Sequence, residues 1–336
     1  DGTVEGQKTF GGKYADELKG VAILKNGNYL VTGTSNSPIS GDKTEANLGL
    51  NDYWLLQLDP SGNLVWQKTI GGTQDDNLFT VTATKDGGFI VGGNSNSSTS
   101  NTKTEGSEKG SDFWIVKFDA ETNILWQKSY NYGEHDVLTS IIENADETFL
   151  IGGYAQSEIN SSNSSPLSKV KKGVKGDKEG INDYIALKIS AIGEEIWTQT
   201  VGSSGEEVMR KMLETRDGGY LLTGTSNGKV SKDKNKTIGG NDFWVVKLKD
   251  NTKPDKVKLP VEAIPNPAVT FTNIIIGFEY EYGTANLFDI SGRQLQTHTL
   301  DGSRTLPVEM TGYPSGIYIM EIDTNIGKGS TKIIKK

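Results

Sequence analysis

Three short motifs recur in the same order along about the first 250 residues, and this repetition limits the possible folds more than any other feature. The first motif is an Asp-Gly or Asn-Gly turn followed by aliphatic residues. The second is an aspartate followed by an aromatic residue, and the third resembles Trp-Gln-Lys-Thr. The aspartates of the second motif stand 60, 71 and 59 residues apart, at Asp52, Asp112, Asp183 and Asp242.

Each repeat contains four short strand candidates rich in aromatic and β-branched residues. The Asp-Gly and Asn-Gly pairs predict tight hairpin turns, because glycine tolerates a positive φ angle. Four-stranded meanders at this period predict an all-β fold of β-propeller blades, whereas the alternative, a linear β-solenoid, has shorter repeats. The four blades are expected at about 11–70, 71–130, 131–201 and 202–249.

The fourth repeat ends after its third strand, and residues 3–10 look like an isolated fourth strand. One interpretation is that strand 3–10 completes the last repeat and closes a four-bladed ring. The alternative is that these residues belong to the end of a larger propeller. The first residue is Asp1 rather than methionine, so we expect a processed or partial product.

A different pattern begins after residue 249. Residues 250–262 are polar and contain proline, which predicts a linker. Residues 263–336 alternate short apolar segments with turn signals, and this spacing predicts a small seven-stranded β-sandwich.

Four motifs lie in order along this last segment. They are Pro265-Asn266-Pro267, Asp289-Ile-Ser-Gly292-Arg293, Pro314-Ser-Gly316-Ile-Tyr318, and the basic end Lys332-Ile333-Ile334-Lys335-Lys336. Together they resemble the type A C-terminal sorting domain of cargo proteins of the type IX secretion system of Bacteroidota. The resemblance covers about a fifth of the chain and departs only in having isoleucine where leucine or valine is frequent. The upstream repeats are similar, more loosely, to the Asp-Gly-Gly propeller repeats of such cargo.

The resemblance implies export across the outer membrane to the cell surface or the medium. The implied partners are the translocon, an outer-membrane β-barrel shuttle protein and a surface sorting protease that cuts in or just after 250–262. The same motif residues are the implied shuttle-binding site, with the terminal Ile333 and Ile334 docking by strand pairing and the lysines outside. Taken singly, each motif also has a structural explanation as a strand start, a hairpin turn or a bulge.

Acidic residues recur at matched positions and invite a functional explanation. Asp52, Asp112, Asp183 and Asp242 could bind a cation or a sugar, but the favoured interpretation is a turn cap or a hydrogen bond between blades. The pairs Asp16-Glu17, Asp75-Asp76 and Glu206-Glu207 could serve general acid–base catalysis, but a catalytic pair is normally unique, so solvated strand starts are favoured. Trp54, Trp114 and Trp244 could stack on sugars, yet packing between blades is favoured. His135 beside Asp136 has no placed nucleophile.

Composition excludes several classes of function. The chain has no cysteine and two histidines, His135 and His298, so thiolate sites and three-histidine metal sites are excluded. A net charge of −8 argues against a nucleic-acid partner. No apolar run reaches the roughly 18 residues of a membrane span. We expect no cofactor.

The most variable segments join the second and third strands of each repeat, at 35–50, 95–110, 155–181 and 226–240. Long polar loops on a rigid scaffold are where binding usually resides. Lysines between 169 and 178 form a basic patch that could touch anionic glycans or be a solvated loop. We therefore expect a secreted or surface binding and adhesion module rather than an enzyme. A propeller glycosidase or lyase, or a structural spacer in a larger surface protein, are the alternatives.

Overall fold

A computed structural model describes residues 2–107, 110–156, 182–215, 217–252 and 259–336. The chain divides into two compact units, here called the N-terminal domain (Asp1–Lys249) and the C-terminal domain (Asp250–Lys336). The secondary structure of the described ranges is β-strand with turns, and no helix occurs in them. The all-β prediction is confirmed as several small antiparallel sheets.

The N-terminal domain contains four antiparallel sheets, each a meander of strands in chain order. Sheet 1 comprises β1 (Asp16–Ile23), β2 (Tyr29–Ser35), β3 (Asp52–Leu58) and β4 (Leu64–Ile70). Sheet 2 comprises β5 (Asp76–Ala83), β6 (Phe89–Ser95), β7 (Asp112–Phe118) and β8 (Ile124–Tyr130). Sheet 3 comprises β9 (His135–Glu143), β10 (Phe149–Gln156), β11 (Asn182–Ile189) and β12 (Glu195–Val201). Sheet 4 comprises β13 (Glu207–Glu214), β14 (Tyr220–Ser226) and β15 (Asp242–Leu248).

The sheets place the recurring motifs at matching positions in register. In sheet 1, Leu18 of β1 pairs with Gly33 of β2, and Gly33 pairs with Trp54 of β3. The equivalent triads are Leu78, Gly93 and Trp114 in sheet 2, Leu138, Gly153 and Ile185 in sheet 3, and Met209, Gly224 and Trp244 in sheet 4.

Successive sheets pack through an aromatic ring that covers this glycine. Tyr53 of β3 stacks on Trp114 of sheet 2 with the ring centroids 4.6 Å apart, and its hydroxyl donates to the Trp114 carbonyl at 3.0 Å. A Cβ atom on Gly93 would lie 2.8 Å from the Tyr53 Oη, so only glycine leaves room for the ring. Phe113 and Tyr184 fill the equivalent positions over Gly153 and Gly224.

The four sheets do not close into a ring, so a closed propeller is not found. Leu18 on the first sheet is 68% exposed and Phe243 on the last sheet is 94% exposed, whereas their equivalents between sheets are buried. The prediction that residues 3–10 complete the fourth sheet is wrong for this structure. These residues form no strand, and β15 pairs with β14 alone among the described residues. Instead, Phe10 packs on the Trp54 cluster of sheet 1.

The C-terminal domain has seven strands, the number that the sequence predicts. They are β16 (Val261–Ile264), β17 (Phe271–Ile276), β18 (Gly283–Asp289), β19 (Gln294–Leu300), β20 (Thr305–Glu309), β21 (Gly316–Thr324) and β22 (Lys328–Lys335). One sheet has the order β16-β17-β20 and the other β19-β18-β21-β22. Side chains of both sheets, including Ile274, Leu287, Met320 and Ile333, share one buried core. Residues 261–264 therefore belong to the sandwich rather than to a linker or a lead-in.

The matched positions Leu78 and Leu18 test the packing between sheets. Leu78→Ala should lower the free energy of unfolding by about 3 kcal/mol, because it leaves a cavity at a fully buried junction. Leu18→Ala should change it by less than about 0.5 kcal/mol, since that side chain is exposed. Urea unfolding monitored by tryptophan fluorescence reports on this domain alone, because all six tryptophans lie between residues 54 and 244. Equal losses in the two variants would contradict the assignment.

Candidate functional site

Buried carboxylates meet at each junction between sheets. Asp52 of β3 and Asp76 of β5 are both fully buried, and an added Cβ on Gly71 would lie 2.0 Å from Asp52 Oδ1 and 3.0 Å from Asp76 Oδ2. The equivalent pairs are Asp112 with Asp136 and Asp183 with Glu207.

Several of these recurring carboxylates accept hydrogen bonds from nearby main-chain amides. Asp52 Oδ2 accepts from the amides of Leu48 and Gly49 at 2.6 and 3.2 Å, and thereby fixes the end of the loop before β3. Asp242 accepts from the equivalent amides of Ile238 and Gly239. The turn-cap interpretation is therefore confirmed for Asp52 and Asp242.

Burial changes the protonation of these carboxylates. It raises the pKa of Asp52 to about 6, of Asp183 to about 7 and of Asp136 to about 8. The neighbouring acid of each pair acts in the same direction, because two carboxylates side by side cannot easily both be charged. One oxygen of each of these three side chains has no hydrogen-bond partner in the part of the chain that the structure describes. Each pair is thus suited to hold a proton.

The predicted acidic pairs at the strand starts need correction. Asp76, Asp136 and Glu207 are buried rather than solvated, because each lies in the first two residues of a strand that the preceding sheet covers. Asp16 begins β1 and so corresponds to Asp76, which displaces the expected Asp16-Glu17 pair by one position. Exposed His135 has no link to chemistry, and Trp114 is too deeply buried to stack on a sugar.

Buried lysines support the loops between the second and third strands, and sequence reasoning missed them. Lys43 Nζ donates to the Glu45 carbonyl at 2.9 Å and to Thr69 Oγ1 at 2.6 Å. Lys103 Nζ lies 5.2 Å from the Trp114 ring centroid, and burial lowers the pKa of Lys103 to about 8. Lys234 occupies the same place in sheet 4. The sequence signal that could have found these lysines is their recurrence at equivalent positions of the repeat. The basic patch predicted at 169–178 lies outside the described residues.

The first and last sorting motifs meet in the C-terminal domain. The Asn266 side chain donates to the Lys332 carbonyl at 2.6 Å and accepts from the Ile334 amide at 2.8 Å. Ala268 adds two main-chain bonds, from its amide to the Ile334 carbonyl and from the Lys336 amide to its own carbonyl. We call these contacts the terminal latch. Pro265 and Pro267 flank Asn266 on the surface.

The two central motifs form local turns. Asp289 accepts from the amides of Ser291 and Arg293, and Gly292 has the positive φ of +85° that this turn requires. Buried Tyr318 donates to the Pro314 carbonyl at 2.8 Å and packs on Tyr313, while Gly316 begins β21.

The last strand presents a mixed surface. Ile333 is completely buried in the sandwich core, so its side chain cannot dock on a partner while the domain is folded. Ile334 is 37% exposed, and Lys332 and Lys336 are exposed beside it. Because the terminal latch occupies main-chain groups of residues 332–336, strand addition at this edge would require its release.

Comparison with known proteins identifies this domain. Residues 262–336 match a family model described as the secretion system C-terminal sorting domain. This domain indicates export by the type IX secretion system to the cell surface or the medium, and therefore interaction with the secretion machinery. No helix in the described ranges is long and apolar enough to cross a membrane. In those ranges no cluster of three or more His, Cys, Asp or Glu could hold a metal ion.

Other similarities are distant. An uncharacterized WD repeat-containing protein of Acanthamoeba polyphaga mimivirus is 26% identical over 166 residues, which is 43% of this chain and 12% of that protein. The extracellular domain of a putative hybrid two component system from B. thetaiotaomicron has a TM-score of 0.31 at 10% identity, over 95% of this chain and 38% of that one. An ACO/RPE65 chimera has a TM-score of 0.36 at 11% identity, over 87% and 64%. This chain spans less than two thirds of each, and these similarities assign neither fold nor function.

The buried acid Asp136 predicts a pH dependence of stability. An acid whose pKa is higher in the folded than in the unfolded protein binds more protons when folded, so stability falls as the pH rises from about 4 to about 8. Asp136→Asn removes this loss and should raise the free energy of unfolding at about pH 8 by about 1 kcal/mol or more. Urea unfolding at several pH values measures it. Glu121→Gln, in an exposed turn, is the control, and an Asp136→Asn profile parallel to the original would contradict the prediction.

Proposed function

We propose that the N-terminal domain is a binding or adhesion module that the C-terminal domain delivers to the cell surface. The observation that carries the proposal is the sorting-domain match at residues 262–336, in the same chain as a domain with well-anchored loops. The four sheets would act as blades of a propeller-type arc. This arrangement supplies a rigid scaffold on which loops can carry recognition.

The loops between the second and third strands are the proposed ligand surface. They leave one end of the sheets, opposite the tight hairpins, because each sheet is an antiparallel meander. Ile39, Val230 and Ile238 stand on these loops with 64%, 61% and 81% of their surface exposed. Exposed apolar side chains on anchored loops are typical of binding surfaces, and surface glycans are the proposed ligand class.

Binding is favoured over catalysis by the distribution of the acids. Comparable carboxylate pairs stand at three junctions, and main-chain amides occupy Asp52 and Asp76. A glycosidase or lyase would need one accessible pair of acids, so it is the weaker alternative. A spacer role would leave the exposed loop residues without a function.

We also propose that the sorting motifs address an outer-membrane β-barrel shuttle and the translocon, with proteolysis in the segment 250–262. The exposed Ile334 with Lys332 and Lys336 offers a surface that such a shuttle could read. The terminal latch holds this surface in one conformation.

Paired loop substitutions test the binding role. Ile39→Ser combined with Val230→Ser should reduce attachment to a glycan array or to host cells at least about tenfold, because both proposed contact points are removed. Ile192→Ser is the matched control, since Ile192 is 67% exposed in a hairpin turn at the other end of the sheets. Unchanged attachment, with retained folding, would refute the loop surface.

Substitution of Asn266 tests the sorting role. Asn266→Ala removes two hydrogen bonds to the last strand and should destabilise the C-terminal domain by about 1 kcal/mol. In a bacterium with the secretion system, the surface-exposed fraction of the protein should fall severalfold. Asn325→Ala is the control, because the Asn325 side chain accepts a main-chain hydrogen bond from Glu281, which lies outside the last strand. Normal display of Asn266→Ala would refute the proposal that the latch matters for sorting.

A further inference from the structure

At one end of the N-terminal domain, an aromatic side chain of the repeat is exposed where its equivalents are covered by another sheet. Phe243 of β15 is 94% exposed and Val245 is 56% exposed. The equivalents of Phe243 between sheets are Tyr53, Phe113 and Tyr184, and all three are fully buried. Each of them lies over a glycine of the next sheet. The position of Phe243 in the repeat therefore specifies what should cover it, namely the first two strands of another sheet of the same kind.

The other end of the domain carries a matching slot. A cavity of about 200 Å³ opens over sheet 1 and is lined by Leu18, Gly33, Trp54 and Leu56, with Phe10 at its side. Gly33 is the counterpart of the glycines that receive an aromatic ring in the other sheets, but the atoms nearest to a Cβ added there belong to the main chain of Glu17 and Leu18 and not to a ring. Leu18 is 68% exposed here, whereas Leu78, Leu138 and Met209 at the same position are fully buried.

Among the described residues, sheet 4 also lacks the fourth strand that sheets 1 to 3 have. In sheets 1 to 3 a fourth strand pairs with the third, and Tyr53, Phe113 and Tyr184 pair with Ile70, Tyr130 and Val201. In sheet 4, β15 has no such partner among the described residues. Residues 4–10 carry the matching Gln-Lys-Thr sequence and end in Phe10, at the position of Ile70, but they form no strand in this chain.

We propose that the N-terminal domain associates head to tail with a second copy of this chain. Phe243 of one copy fills the slot over Gly33 of the next, and residues 4–10 of that next copy pair with β15 as its fourth strand. The internal register then predicts that Phe243 pairs with Phe10 and Val245 with Lys8, as Tyr53 pairs with Ile70 and Leu55 with Lys68. This inference is independent of the ligand proposed for the loops.

The junctions inside the chain are the reason for choosing a second copy as the occupant of the slot. The three junctions between sheets show how this surface is covered, so the contact is an extension of an existing interface rather than a new one. Within one chain the ring and the slot are both left open, because sheet 4 does not reach sheet 1. A contact between two different faces of identical chains is heterologous and continues into rings or filaments. Strand addition at an open edge supplies main-chain hydrogen bonds as well.

Complementary variants provide the first test. The full chain should form concentration-dependent oligomers in sedimentation velocity experiments. Phe243→Glu removes the ring and Leu18→Glu blocks the slot, and each should weaken association about 30-fold or more. Both side chains are exposed, so folding is retained. An equimolar mixture of the two variants should form dimers and nothing larger. Phe243→Glu keeps a working slot and Leu18→Glu keeps a working ring, so one contact can form and no further contact is left. Ile192→Glu, at an exposed turn, should associate like the original chain.

Cysteine cross-linking provides the second test, since the chain has no cysteine of its own. Lys8→Cys in one copy and Val245→Cys in another would lie opposite each other on paired strands, within the separation that a disulfide bridges. Mild oxidation of the mixture should give a covalent dimer, whereas Lys8→Cys with Ile192→Cys should not.

Three results would overturn the proposal. The first is a chain that stays monomeric at every concentration. The second is oligomers that Phe243→Glu and Leu18→Glu leave intact, which would indicate another surface. The third is a Lys8→Cys and Val245→Cys double variant that cross-links only within one chain, which would show that the domain closes on itself.

Discussion

The contact between an aromatic ring and a glycine organises the whole N-terminal domain. The ring lies on the third strand of one sheet and the glycine on the second strand of the next, so each sheet offers a ring on one face and a slot on the other. This contact is directional, and it can recur without limit because nothing in it depends on the number of sheets. The first and last sheets therefore expose chemically different faces, with the slot open on sheet 1 and the ring exposed on sheet 4.

The same junctions also bury acidic side chains, which is electrostatically unfavourable. Each joins two acids that burial deprives of water, and the raised pKa values of Asp52, Asp136 and Asp183 reflect that loss. Asp52 also accepts the main-chain amide hydrogens of Leu48 and Gly49. Removing an acid would leave those amides unpaired. Keeping the acid buried raises its pKa, so its protonated form is favoured near neutral pH. This balance accounts for the recurrence of the aspartates without any catalytic role.

Local structure was predictable from the sequence, and contacts between distant segments were not. Asp-Gly turns and alternating strands indicated the strand pattern of each sheet, because these signals act within a few residues. The placement of residues 3–10 was not predictable, since a strand-like sequence becomes a strand only where an edge accepts it. The burial of Lys43 and Lys103 was not predictable either, because it depends on contacts with the Trp54 and Trp114 rings. Ile333 looked available for docking because sequence does not show which face of the last strand meets the core.

The terminal latch restricts how the secretion machinery can read the C-terminal domain. Asn266 and Ala268 already use main-chain groups of Ile334 and its neighbours, so a partner meets side chains rather than an open strand edge. Asn266 lies 68 residues from Ile334 in sequence, and the two meet only when the sandwich has folded. Recognition of the exposed Ile334 and its lysines would therefore depend on completion of the fold. On the proposed sorting role, a motif at the start of the domain and one at its end would act as one signal, because Asn266 and the last strand hold each other in place.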